Sequence, residues 1–77
     1  MEQKVKQVDG NIGENIRKLR LETGLKQTEL VGMLQLHGVS MTRETLVKIE
    51  RGIQHITATQ LRGIRDCLNT TYDELLK

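Results

Sequence analysis

The chain of 77 residues contains no proline, phenylalanine or tryptophan, and it has a single tyrosine and a single cysteine. A lone cysteine excludes an internal disulfide, and two histidines with one cysteine are too few ligands for a structural zinc site. Because aromatic side chains are almost absent, Leu, Ile, Val and Met must build the core. These absences predict one small domain held by aliphatic packing, as expected in the reducing cytoplasm.

Long apolar runs are also missing from the sequence. No segment approaches the roughly 20 apolar residues that a membrane-spanning helix needs, and the N-terminus lacks the apolar run of a secretory signal peptide. Residues 1–10 show no helical period and end in Asp9-Gly10. We therefore expect a flexible tail over residues 1–10 and one domain over residues 11–77.

The net charge is only +2, but it is unevenly distributed along the chain. Residues 12–65 hold nine basic and five acidic residues, whereas residues 66–77 hold three acidic residues and one lysine. A basic excess in the central part favours a surface that faces a polyanion, although charge alone does not identify the partner.

Apolar residues recur at the three- and four-residue spacing of amphipathic helices, and Gly or Asn separates the segments. The spacing predicts helices that begin at about residues 11, 27, 42, 57 and 71. No segment alternates as a strand would, so the fold class is all-α with short loops. Three pairs match the capping box of a helix start: Asn11 with Glu14, Thr57 with Gln60, and Thr71 with Glu74.

Three runs then follow one another in a characteristic order: IGENIRKLRLETGLKQTEL, LVKIERG and ITATQLRGIRDCLNTTYDELL. Over residues 12–76 this order resembles the Cro and phage-repressor (XRE) family of helix-turn-helix domains. The resemblance implies a five-helix, lambda-repressor-like DNA-binding domain whose helices two and three form the helix-turn-helix motif. Two features depart from the family: a longer link, LQLHGVSMT, between these helices, and Lys26 where a Thr cap is common.

The resemblance implies that the outward face of the third helix, residues 42–51, enters the major groove of DNA. An arginine such as Arg43 can grip guanine O6 and N7, and a glutamate such as Glu44 can accept from cytosine N4. Lys48 could reach guanine or phosphate, and Val47 a thymine methyl group. The alternative is a solvated face on which Glu44 pairs with Lys48, four residues away.

Other residues are expected to contact the DNA backbone at the start of helix two and after helix three. Thr42 has an alternative role as a helix cap. The predicted DNA-binding residues are Lys26, Gln27, Thr28, Thr42, Arg43, Glu44, Thr45, Val47, Lys48, Gln54, His55, Thr57 and Arg62. The resemblance further implies that Arg20 and Glu50 form a partly buried structural ion pair and do not read DNA.

The expected function is that of a transcriptional regulator, most simply a repressor, which binds a palindromic operator as a homodimer. Helices four and five should form the dimer surface, with Leu75 and Leu76 exposed and Tyr72 in the core or at the contact. The alternative is an antitoxin or protein-interaction adaptor on the same fold.

Other activities find no support in the residues. Single-stranded nucleic acid is disfavoured because such proteins stack bases on aromatic rings. No Ser-His-Asp, Cys-His, paired-carboxylate or Gly-rich phosphate pattern is present, so we expect no enzyme, no metal and no cofactor. Cys67 is expected to be a core thiol.

Overall fold

The computed structural model describes residues 4–5 and 11–77. Its helices match the predicted helices in number and in order, and their boundaries agree within one or two residues. None of the described helices is long and apolar enough to cross a membrane. The all-α class is confirmed, with helices α1 Ile12–Glu22, α2 Gln27–Leu36, α3 Arg43–Glu50, α4 Ala58–Cys67 and α5 Tyr72–Leu75.

A short two-stranded ribbon accompanies the helices. Strand β1, Lys4–Val5, pairs antiparallel with strand β2, Ile56–Thr57. The sequence does not predict this ribbon, because two residues are too few to show the alternation of a strand. The expected flexible tail lies largely outside the described residues, since only residues 4–5 of it are described.

Threonine hydroxyls cap three of the helix starts. Thr42, Thr57 and Thr71 each accept a hydrogen bond from the backbone N–H three residues later, at 3.1–3.2 Å. At Thr57 the capping box is complete, because Gln60 Oε1 accepts from the Thr57 N–H at 2.9 Å.

The predicted capping box of α1 is wrong, although the helix does begin at this point. Asn11 occupies the N-cap position, but its side chain makes no capping hydrogen bond. Its ψ of 50° lies outside the extended region in which a cap side chain reaches the first turn.

Residues with a left-handed backbone conformation end the helices and allow tight turns. Gly24 after α1 has φ +75°, and Asn69 after α4 has φ +53°, as expected for residues that terminate a helix. The N–H of Leu25 then donates to the carbonyl of Arg20 at 3.1 Å. This closing bond turns the chain from α1 into α2 within a few residues.

The core is aliphatic and draws on all five helices. Leu75 is completely buried, so the expectation that it is exposed is wrong. Only Leu76 beside it is exposed, at 48%. The buried hydrophobic residues are Ile12, Ile16, Leu30, Leu34, Val39, Met41, Leu46, Ile49, Ile56, Leu61, Ile64, Cys67, Leu68 and Leu75.

The long link between α2 and α3 is anchored to this core at two points. Val39 and Met41 are both buried. A Cβ at position 63 of α4 would lie 2.8 Å from Cγ2 of Val39, so glycine there lets the link pack closely. The extra residues therefore follow a fixed path into α3.

The start of α1 lies directly on the end of α3. A Cβ built at Gly13 would collide with the carbonyl oxygen of Ile49 and would lie 2.9 Å from that of Glu50. Only glycine allows this backbone approach. It holds the start of α1 against the end of α3.

Candidate nucleic-acid interface

Helix α3 has a buried face and an open face. Leu46 and Ile49 are fully buried, whereas Arg43, Glu44 and Lys48 are exposed. Within the described part of the chain, these three side chains make no hydrogen bond or ion pair, so the expected alternative of a Glu44–Lys48 pair does not form. The outward side of α3 is therefore uncovered by the described residues.

Two threonines organise the first turn of this helix. Thr42 Oγ1 accepts from the Thr45 N–H at 3.1 Å and lies 3.0 Å from Thr45 Oγ1. The cap role of Thr42 is thus confirmed, and its hydroxyl is occupied within the chain. When Thr42 donates to Thr45, the Thr45 hydroxyl keeps its own hydrogen for another acceptor.

A buried ion pair ties α1 to the end of α3, as expected. Arg20 Nε and Nη2 donate to the two oxygens of Glu50 at 2.8 and 2.9 Å, and both residues are 6% exposed. Arg20 Nη1 also donates to the carbonyl of Leu25 at 2.8 Å. The hydrogen bond to Glu50 raises the pKa of Arg20 above its ordinary value, so the guanidinium stays charged.

The same carboxylate holds Gln27, the first residue of α2. Gln27 Nε2 donates to Glu50 Oε1 at 3.1 Å. A carboxylate only accepts hydrogen bonds, so Glu50 fixes which end of the Gln27 amide turns inward. One N–H and the carbonyl oxygen of that amide remain for an external partner. The sequence predicts the ion pair and does not predict this bond, through which the structure links the Gln27 side chain to the pair.

The start of α2 lacks the side-chain cap seen at α3, α4 and α5. Lys26 offers no acceptor, but its N–H donates to Glu29 Oε1 at 2.8 Å, so half of a capping box is present. The first backbone N–H groups of α2 therefore have no side-chain acceptor at the cap position, and such groups favour an anion.

Side chains from the starts of α2 and α3 meet those of α1 around one open cleft of about 430 Å³. The structure therefore brings together four residues predicted to contact DNA. It adds Arg17, which the sequence reasoning misses. The sequence does hint at this position, because Arg17 precedes Arg20 by one helical turn and therefore lies on the same face of α1. The residues that line the cleft are Arg17, Arg20, Lys26, Gln27, Thr28 and Arg43.

The predicted contacts after α3 divide into two groups. Gln54 and His55 lie in the loop that follows α3. Thr57 is half-buried, and its hydroxyl caps α4. Arg62 lies elsewhere: it lines a different cleft with His37 and Asp66, between the α2–α3 link and α4. The structure does not place Arg62 with the cleft residues.

Among residues 4–5 and 11–77, the structure shows no cluster of metal-binding side chains. No three His, Cys, Asp or Glu residues in this part are placed to hold a metal ion. Cys67 is a buried free thiol, and burial together with the nearby Asp66 carboxylate raises its pKa.

Comparison with known proteins identifies a family. A helix-turn-helix family model matches residues 16–75, which contain α2, α3, α4, α5 and most of α1. No curated protein and no solved structure gives a significant match. The match includes the open face of α3 and every residue of the cleft. The chain therefore belongs to the Cro/C1-type (XRE) helix-turn-helix family of DNA-binding transcription regulators.

Proposed function

We propose that the chain binds double-stranded DNA sequence-specifically by inserting α3 into the major groove. The observation that carries this proposal is the open face of α3, where Arg43, Glu44 and Lys48 are exposed and unpaired in the described part. Its opposite face is fixed in the core by Leu46 and Ile49. A major groove about 12 Å wide admits one such helix.

The outward side chains differ in what they can read. Arg43 can donate two hydrogen bonds to guanine, and Glu44 can accept one from cytosine N4. Lys48, one turn further along, reaches guanine or a phosphate. Val47 is half-buried and offers a methyl contact to thymine, and Thr45 offers its hydroxyl.

Backbone contacts would hold the helix in register on both sides of the groove. Lys26, Gln27 and Thr28 contact phosphates from the start of α2. The segment that carries Gln54 and His55 contacts the backbone after α3. Thr42, Thr57 and Arg62 are left out of this set, because the hydroxyls of the two threonines cap helices and Arg62 lines another cleft.

We further propose that the protein acts as a repressor and binds a palindromic operator as a homodimer. Tyr72 and Leu76 of the α5 region are 38% and 48% exposed, and they offer an apolar contact for a second copy. Two recognition helices related by a two-fold axis would lie about 34–36 Å apart, one turn of DNA.

Selection of bound sequences from a random duplex pool tests these proposals together. We expect enrichment of one motif with two inverted half-sites whose centres are about 10 base pairs apart. The matched control is the Arg43→Ala/Lys48→Ala variant, which should enrich no motif or a degenerate one. Absence of enrichment by the wild type would contradict DNA reading and favour the adaptor alternative. Enrichment of a motif with a single half-site would contradict the proposed homodimer but not sequence-specific binding.

A further inference from the structure

The cleft between α1, α2 and α3 collects positive charge from all three helices. Arg17 and Arg20 come from α1, Lys26 precedes α2, and Arg43 begins α3. No acidic residue is among the described residues that line it. Such a concentration of like charge in one open space favours an anion.

The four cations are not equivalent, because one of them is already neutralised. Arg20 is bound through two hydrogen bonds to Glu50 and is 6% exposed. Arg17, Lys26 and Arg43 are exposed, and within the described part of the chain their side chains have no carboxylate partner. Three uncompensated charges therefore border the cleft.

We propose that this cleft holds one phosphate group of the DNA backbone and that Arg17 of α1 is one of its ligands. The assignment rests on the proposed function, because insertion of the start of α3 brings the adjoining cleft to the sugar–phosphate edge of the groove. Arg17 donates through its guanidinium and Lys26 contributes a point charge; Thr28, which also lines the cleft, offers a hydroxyl donor.

This assignment gives α1 a direct part in binding. A phosphate is present at every nucleotide, so the contact with Arg17 strengthens binding to all duplexes equally. Arg43, at the other wall of the cleft, turns toward base edges and affects some sequences more than others. The two arginines should therefore be separable by experiment.

The test compares Arg17→Ala with Lys18→Ala in the full chain. Lys18 is the adjacent residue, carries the same charge and is exposed, but it lines a different cleft beside Glu22 and Glu74. The affinity for the pool-selected duplex and for an unrelated duplex is measured over a salt series. Circular dichroism checks that both variants are folded.

We expect Arg17→Ala to lower affinity for both duplexes by the same factor. It should also reduce the slope of log affinity against log salt by about 0.9, the value for one phosphate. The defect should then shrink about three- to fourfold between 50 and 200 mM salt, as that slope requires. Arg17→Lys should retain most of the slope, and Lys18→Ala should behave as the wild type.

Three results would overturn the assignment, and they are distinguishable. In the first, the wild type binds, but Arg17→Ala keeps the wild-type salt slope or Lys18→Ala loses as much affinity as Arg17→Ala does. Either finding removes only Arg17 from the interface. A loss confined to the selected duplex makes Arg17 a base-reading residue. A wild-type chain that binds neither duplex overturns the phosphate site and the proposed function together.

Discussion

Glu50 is almost completely buried, yet it carries a charge and accepts hydrogen bonds from α1 and α2. Burying a carboxylate is costly unless its charge is paired and its oxygens are hydrogen-bonded. Arg20 supplies the charge and two bonds, and Gln27 supplies a third. One residue at the end of α3 thereby holds both the start of the helix-turn-helix motif and the helix that precedes it.

Arg20→Ala should strongly destabilise the fold, because it leaves the Glu50 charge buried with Gln27 as its remaining side-chain donor. We expect a loss of about 3–5 kcal/mol in the free energy of unfolding, measured by urea denaturation. The control is Lys77→Ala, which breaks the exposed pair with Glu74 and should cost at most about 1 kcal/mol. Equal effects of the two variants would contradict a structural role for the buried pair.

Cys67 provides a pH-dependent readout of the packed core. Burial, and secondly the Asp66 carboxylate, raise the pKa of its thiol above the ordinary value. Because the thiolate is the reactive form, alkylation by iodoacetamide should rise at higher pH in the folded chain than in the urea-unfolded chain. The stability contributed by this group is present below the pKa of the unfolded thiol and is lost as pH rises through the folded pKa. Coincident pH profiles would show that the thiol is not buried.

At the scale of elements, the contact of α1 with α3 depends on one glycine. Gly13→Ala places a methyl group against the carbonyl oxygens of Ile49 and Glu50. We expect destabilisation of about 1–3 kcal/mol or more, since backbone atoms cannot give way as a flexible side chain can.

Gly32→Ala in α2 is the matched control for this prediction. The added methyl group meets nothing within 4 Å, and Gly32 lies inside a helix, so alanine should stabilise the chain by about 0.5–1 kcal/mol. Thermal unfolding of the two variants measures the difference. A Gly13→Ala chain as stable as Gly32→Ala would contradict the close approach of α1 and α3.

The helices are predictable from the sequence because their signals are local. Apolar spacing and the caps at Thr42 and Thr57 act within one or two turns of a helix. One error is local, the capping box at Asn11. The others concern contacts between distant segments: the burial of Leu75 depends on where α5 packs, and the place of Arg17 in the cleft lining depends on how α1 meets α2 and α3. The link from Glu50 to Gln27 likewise spans 23 residues and leaves no local pattern.

At the scale of the whole molecule, the cleft and α5 carry charge of opposite sign. The cleft is lined by cations from α1, α2 and α3, whereas Asp73 and Glu74 lie on α5, which contributes no residue to the cleft. Such a distribution orients the domain in the field of a polyanion before contact. It also keeps the proposed dimer contact at Tyr72 and Leu76 separate from the proposed DNA contact.

The insertion of α3 into the major groove is tested most directly by dimethyl sulfate footprinting on the pool-selected duplex. The reagent methylates guanine N7 in the major groove and adenine N3 in the minor groove, so it reports which groove is occupied. We expect the wild type to protect guanine N7 in each half-site. Arg43→Ala should lose protection at one guanine per half-site and bind about 1–3 kcal/mol more weakly. Protection of adenine N3 alone, or of no base, would contradict insertion of α3.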